Sequence, residues 1–340
     1  MTFDERVAAL ASLGFSERQT RFLVMVALHS GFCLRRHYTA FADLQYGAGV
    51  RDFLDRLVSR RLARRLDFRR DRGHVYHLCN SSIYNAIGQD DNRNRRRTSP
   101  ALIARKLMLL DYVLAHRDVD WYATEADKVA LFTGPFAVPA LDLQQRIYVP
   151  RLRQTPPTFR YFIHKLPIGL MGDPPVPSFV FLVTDSTGQA FEQFLRDHLA
   201  LLNHLPRWRI VAVAPRHIPG LPACDIALRR VVADVQRPRR HATEELDALT
   251  FYFTILDCLD RDDLNHVSIA DLNRFRETRP RFAAPEYEIL FHRWKADGLT
   301  ALTNPIAPGF LAALAERRGF LETYQLPIRY DRFGTYAGVV

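Results

Sequence analysis

Apolar residues in the first eighty positions recur at helical spacing and then switch to alternation. Residues 3–12 read as a short helix ended by Gly14. Ser16 stands three residues ahead of Gln19, the spacing of a capping box. Phe22, Leu23, Val26 and Ala27 then repeat on one helical face until Gly31. A shorter helix is expected from His37 to about Leu44, with a turn at 46–49. From Gly49 to Ala63 the stripe of Val50, Phe53, Leu54, Leu57, Val58 and Leu62 predicts a strongly amphipathic helix, with Arg51, Arg56, Arg60 and Arg61 on its other faces. Two short strands, Ala63–Phe68 and His74–Cys79, follow. Arg69-Arg70-Asp71-Arg72-Gly73 joins them as a hairpin with a basic tip and a turn glycine.

The pattern breaks at Gly88–Pro100, which has no apolar side chain before its closing proline but holds Arg93, Arg95, Arg96 and Arg97. That composition predicts an interdomain linker. Helices are expected at Ala101–His116 and Glu125–Phe132, and strands at Arg146–Val149, Phe159–Ile163 and Phe179–Val183, with a turn-rich piece at Met171–Pro177. An amphipathic helix, Gln189–Leu205, leads to a buried strand at Ile210–Ala214, so the last two strands should run parallel across a crossover. From Ala242 onward the chain reads as helical. Thr243, Ser268, Pro285 and Pro308 open successive helices, and the apolar, aromatic tail Tyr324–Val340 is suited to docking. The expected fold class is α+β and multidomain. It comprises an N-terminal module at 1–88, a basic linker at 89–100, an α/β domain at 101–238 and a helical C-terminal domain at 239–340. A chain of 340 residues accommodates two or three such units.

Charge changes the picture. The net charge is +10, and residues 1–100 alone carry 18 Arg against 10 Asp and Glu, leaving the remainder nearly neutral. A polyanion-binding N-terminal module is implied. The order of helices, a glycine-containing turn, a basic amphipathic helix and a hairpin with an arginine tip resembles a winged helix-turn-helix. A helix fits the major groove of duplex DNA, and a β-ribbon tip reaches the neighbouring backbone or minor groove. The candidate contacts are Arg51, Arg56, Arg60, Arg61 and Arg64 on the helix and first strand, Arg69, Arg70 and Arg72 on the wing, and Arg95, Arg96 and Arg97 on the linker. Arginines on an exposed helix face also serve as plain solvated charge, and a winged helix also serves as a protein-docking module.

Together with the stretch Phe162-Ile163-His164-Lys165-Leu166-Pro167-Ile168-Gly169 and the strand Phe179-Val180-Phe181-Leu182-Val183-Thr184-Asp185, the module at 16–79 resembles plasmid replication-relaxation family proteins. The resemblance covers about half of the chain. It implies a restriction-endonuclease-like sheet behind the winged helix, and a role on a bacterial plasmid or mobile element in replication, mobilisation, recombination or transcriptional control. A nuclease of that fold needs an acid before its first hairpin strand and D/E-x-K on the second, because the carboxylates hold the metal that activates water. Here the first position falls at His164 and the second reads Val183-Thr184-Asp185. The expectation is a catalytically degenerate domain and a DNA-binding protein without catalysis, cofactor or metal. The alternatives are a metal-dependent nuclease using a migrated carboxylate, Asp173 or Asp185, and an adaptor in a mobilisation or recombination complex.

Other chemistry is weaker. Cys33, Cys79, Cys224 and Cys258 lie far apart with no CxxC pair, which points away from a disulfide scaffold. His29, Cys33 and His37, or His74, His77 and Cys79, fall short of four convergent zinc ligands. Asp185, Ser186, Thr187 and His198 lack the spacing of a hydrolase site, and no P-loop, GxGxxG, HExxH or GxSxG occurs. No apolar run approaches the ~18 residues of a membrane span. The opening Met-Thr-Phe-Asp-Glu-Arg has no basic region followed by an apolar one, so a cytoplasmic protein is expected. The expected partners are double-stranded DNA, a second copy of the chain, and a relaxase, recombinase or other mobile-element protein.

Overall fold

A computed structural model describes residues 1–45, 47–67, 74–148, 158–236, 243–283, 285–303, 307–328 and 330. The first elements are α1 (Phe3–Leu10), α2 (Glu17–His29), β1 (Phe32–Cys33), α3 (Arg35–Ala42), α4 (Ala48–Ser59), β2 (Ala63–Asp67), β3 (His74–Leu78) and α5 (Ser81–Ala86). Local chemistry sets their ends. Thr2 and Ser16 each form a capping box, with Glu5 and Gln19 closing back on the cap. The strands are ordered β1-β3-β2, all antiparallel, with Arg64 opposite His77 and Leu66 opposite Val75. The expected stripe of α4 is buried: Val50, Phe53, Leu54 and Leu57 are at most 2% exposed and share a core with Phe22, Leu23, Val26 and Tyr76.

The chain continues through α6 (Pro100–Ala115), β4 (Asp120–Tyr122), α7 (Glu125–Thr133), β5 (Gln145–Tyr148), β6 (Thr158–Tyr161), β7 (Ile168–Met171), β8 (Val176–Leu182), α8 (Gln189–His204), β9 (Trp208–Pro215) and α9 (Leu221–Gln236). It then forms α10 (Thr243–Asp260), α11 (Ile269–Thr278), α12 (Pro285–Asp297), α13 (Thr300–Thr303), α14 (Pro308–Ala315) and β10 (Gly319–Leu326). The main sheet is ordered β10-β9-β8-β7-β4. β7 and β8 form an antiparallel hairpin, and β8 and β9 run parallel across α8, as the crossover pattern requires. β8 is buried on both faces: Phe179 and Phe181 pack toward α8, and Val180 and Leu182 toward α6. β5 and β6 pair only with each other, so the first hairpin strand of the main sheet is the short β7, inside a stretch whose glycine and prolines mask its alternation.

Two expected boundaries do not hold. The C-terminal stretch is not helical throughout: β10 returns to the main sheet and pairs with β9 along its whole length, from Gly319 opposite Trp208 to Leu326 opposite Pro215. α14 packs beside it, with Phe310 stacked on Trp208 at 5.4 Å. The helices α10 to α13 keep a separate small core around Phe253, Phe275 and Phe291. Nor does a free linker separate the first module from the sheet. α6 turns Leu110, Val113 and Leu114 into the N-terminal core, and Ile103, Leu107 and Tyr112 into a second core shared with Phe32, Val75, Val180 and Val211. Each such side chain contributes roughly 1.5–3 kcal/mol on full burial, which ties the two halves together.

Candidate nucleic-acid interface

The 89–100 segment is docked, not loose, and Asn94 holds it. Asn92 caps a short 3-10 turn at Arg93–Arg95. Asn94 is 6% exposed, and its side-chain Nδ2 donates to the carbonyls of Ala27 and Leu28 at 2.9 and 3.1 Å, the free carbonyl end of α2. Its Oδ1 accepts from Lys106 Nζ at 2.6 Å, and its main-chain carbonyl meets His77 Nε2 at 3.0 Å. The contact fits because Gly31, at φ +77°, leaves no side chain there; a Cβ would lie 2.3 Å from the Asn94 oxygen. His77 stacks on Phe32 at 4.1 Å, and burial pulls its imidazole down to about 4 despite the Asn94 contact, with the Lys106, Arg64 and Arg97 charges pulling the same way.

This docking assembles a basic face. Arg64 projects from β2 on the same side as His77, opposite it in register, and Arg97 sits close enough to act on the same imidazole. Arg96 and Arg97 are exposed on the docked segment, while Arg95 is partly covered and bonds the Asp90 carbonyl at 3.1 Å. Lys106 joins from α6. Burial, with the Lys165 charge, pulls its ammonium down to about 8. Lys106 and Lys165 stand outside the sequence expectation because they lie beyond the arginine-rich first hundred residues; the docked segment brings Lys106 near Arg97 and Lys165 near Arg93 and Arg96.

The face of α4 differs. Its ridge opposite the buried stripe carries Asp52, Asp55 and Ser59, all exposed. Arg51 flanks that ridge and is exposed. Arg56 and Arg60 lie on the other flank over the Phe15 ring, at 4.8 and 5.3 Å. Arg56 donates to Gln19 Oε1 at 2.8 Å and Arg60 to the Leu13 carbonyl at 2.5 Å. Arg61 takes a left-handed turn, φ 56°, that ends the helix, and its carbonyl accepts from Asn80. Arg69, Arg70 and Arg72 lie outside the described residues.

The remaining candidates are scattered or committed. Asp173 sits in the β7–β8 turn and Asp185 beyond the other end of β8, so seven strand residues at about 3.3 Å each, roughly 20 Å, separate them. One metal ion cannot bridge both. Asp185 accepts from Thr187 N and Oγ1 at 2.8 and 2.6 Å, which hold its carboxyl below the usual range. His198 is buried against the Phe194 carbonyl, remote in role from that turn. His37 pairs with Asp111 at 2.8 Å, and Cys33 is buried, its thiol pushed up to about 12. Among the described residues no group of three or more His, Cys, Asp or Glu is placed to hold a metal ion. A large groove beneath α1 is lined by both signs of charge and crossed by the Arg6–Asp127 pair, so it offers a polyanion no uniform field. Among the described residues no helix is long and apolar enough to cross a membrane. No protein-family model, curated protein or solved structure matches the chain.

Proposed function

We propose that the chain is a double-stranded DNA-binding protein whose N-terminal module is a winged helix-turn-helix, with α3 and α4 as the helix pair and β2–β3 as the wing. The observation that carries this reading is the basic face of Arg64, Arg96, Arg97 and Lys106, built by docking the arginine segment beside the wing strand. Phosphate contacts from such a face release counterions and give sequence-independent affinity; Arg51 at the start of α4 and the wing tip supply the groove contacts. The sheet acts as a scaffold rather than a nuclease, because Val183 and Asp185 stand where the carboxylate and lysine of that fold would be needed. A plasmid or mobile-element role follows the resemblance to replication-relaxation proteins. The test is duplex affinity against salt in the presence of Mg²⁺, with the DNA checked for cuts. A steep slope with intact DNA supports binding without catalysis, cleavage lost on Asp185→Ala would favour the nuclease, and a flat slope would remove the DNA reading.

A second reading, a protein-docking adaptor, is favoured by the acidic ridge of Asp52 and Asp55 on α4, which suits a basic protein surface better than a phosphate backbone. Partner binding that persists without DNA and is lost on Asp52→Lys would support it.

A further inference from the structure

Between the docked segment and the start of α7 lies a cleft of about 330 Å³. Four cations from separate elements line it: Arg93 from the docked segment, Lys128 from α7, and Arg160 and Lys165 on either side of the loop that follows β6. Lys128 is 2% exposed. Its Nζ donates to the Leu166 carbonyl at 2.6 Å and lies 5.8 Å from the Phe162 ring, and it forms no ion pair among the described residues. An ammonium has three N–H donors, and burying one with a single acceptor and no carboxylate is costly. Its place in the first turns of α7, where the helix dipole is positive, raises that cost.

The carboxylates nearby offset it only in part: Asp127 and Glu125 favour the charged Lys128, but burial outweighs them, and Asp127 is committed to Thr124 and Arg6. Glu125 accepts from the Tyr161 N–H at 2.8 Å and pairs with Arg160 at 3.7 Å. Asp90 and Asp91 are exposed on the rim. The loop itself is held in place against local preference. Phe162 and Lys165 both take left-handed backbone, φ 49° and 52°, and the buried Gln144 bonds the Phe162 and Ile163 N–H groups through its two oxygens. Non-glycine residues pay for that conformation unless their surroundings impose it. Here it sets Lys165 on the cleft and the Leu166 carbonyl on Lys128.

We propose that this cleft binds a phosphate-bearing ligand of mononucleotide size, with Lys128 and Lys165 on the phosphate and Arg93 closing over it from the N-terminal module. Its volume lies at the lower end of the ~300–1,000 Å³ of small-molecule sites, large enough for one nucleotide and too small for a duplex. The site does not depend on the DNA reading: Arg64, Arg97 and Lys106 do not line the cleft, and Arg96 enters only as a neighbouring charge on Lys165.

The test is calorimetric titration of the full chain with inorganic phosphate and with adenosine 5′-monophosphate at fixed ionic strength. Saturable binding at one site per chain is expected, weakened about tenfold or more in Lys128→Met and in Lys165→Ala, because each removes a charge-assisted contact. Arg64→Ala should leave it unchanged. Lys128→Met, which deletes a buried charge, should melt no lower than the parent, so its loss of binding is not a loss of fold; exposed Lys165 gives an independent check. Displacement of the nucleotide by a short single strand would assign the phosphate to a nucleic-acid strand end, and no displacement would assign it to a free ligand; both support the site. Absence of saturable binding, or affinity equal to the parent's in both lysine variants, would overturn it.

Discussion

The two surfaces of the N-terminal module are made from the same residue type and behave differently. On α4, Arg56 and Arg60 are tied to Phe15, Gln19 and a loop carbonyl, while the outermost ridge is acidic. On the wing side, Arg64 and Arg97 gather with Lys106 around His77, with Arg96 exposed beside them in sequence, because Asn94 pins the connecting segment to the end of α2. Counting arginines along a chain therefore locates a basic segment but not a basic surface. What decides the field is whether each guanidinium has already been engaged within the fold, and which residues its segment is docked beside.

The largest expected effect separates the two surfaces. Replacing Arg64, Arg96 and Arg97 together by Ala should make the slope of log affinity on log salt shallower by about 3, near 0.9 per lost phosphate contact. Replacing Asp52 and Asp55 by Asn should change duplex affinity only a few-fold. A gain of an order of magnitude in the Asn variant would instead put the Asp52–Asp55 ridge of α4 against the DNA backbone.

Next comes the docking itself. Asn94→Ala strips the Ala27 and Leu28 carbonyls of their side-chain donor and leaves the half-buried Lys106 ammonium with the Ser30 carbonyl alone, and should cost roughly 2–3 kcal/mol in urea unfolding. The same variant should weaken DNA binding, since the basic face depends on the docked segment. Full stability in this variant would mean that the Asn94 hydrogen bonds are not what holds the segment in place.

A smaller signal lies in pH. Burial and the Lys165 charge pull Lys128 down to about 7 from an ordinary 10.5, and Lys106 is lowered to about 8 for the same two reasons. The unfolded chain therefore holds more protons than the folded one above pH 7, and stability should rise from pH 7 to 9 by on the order of 1 kcal/mol per unit. Above pH 9 the raised thiols of Cys33 and Cys224 act in the opposite direction, because the unfolded chain loses those protons first. Thermal unfolding of Lys128→Met across this range should show a flatter rise; an unchanged slope would move the source elsewhere. The smallest effect is at Phe15: Arg56→Ala and Arg60→Ala should each cost about 0.5–1 kcal/mol, with duplex affinity nearly constant.

Much of the local structure was legible from spacing alone. The Ser16 capping box, the apolar stripe of α4, the β2–β3 hairpin and the β8–α8–β9 crossover follow from rules that act within a few turns of chain. Longer-range outcomes were not. β10 looks like a tail until β9 offers it an edge, and β7 hides its alternation behind Gly169 and the prolines that flank it. Likewise, 89–100 has the composition of a linker, and its one buried side chain, Asn94, is polar, so no apolar signal marks it. The candidate site suffered most. Lys106, Lys128 and Lys165 lie outside the arginine-rich segments, and only tertiary placement brings Lys106 near Arg97 and Lys165 near Arg93 and buries Lys128 beside the same cleft.

The most direct test is duplex binding across a range of salt for the parent chain and the Arg64, Arg96, Arg97 triple Ala variant, with folding verified for both. A steep parent slope that loses about 3 in the variant is the expected result. Equal slopes in the two proteins would contradict the placement of DNA on the docked-segment face.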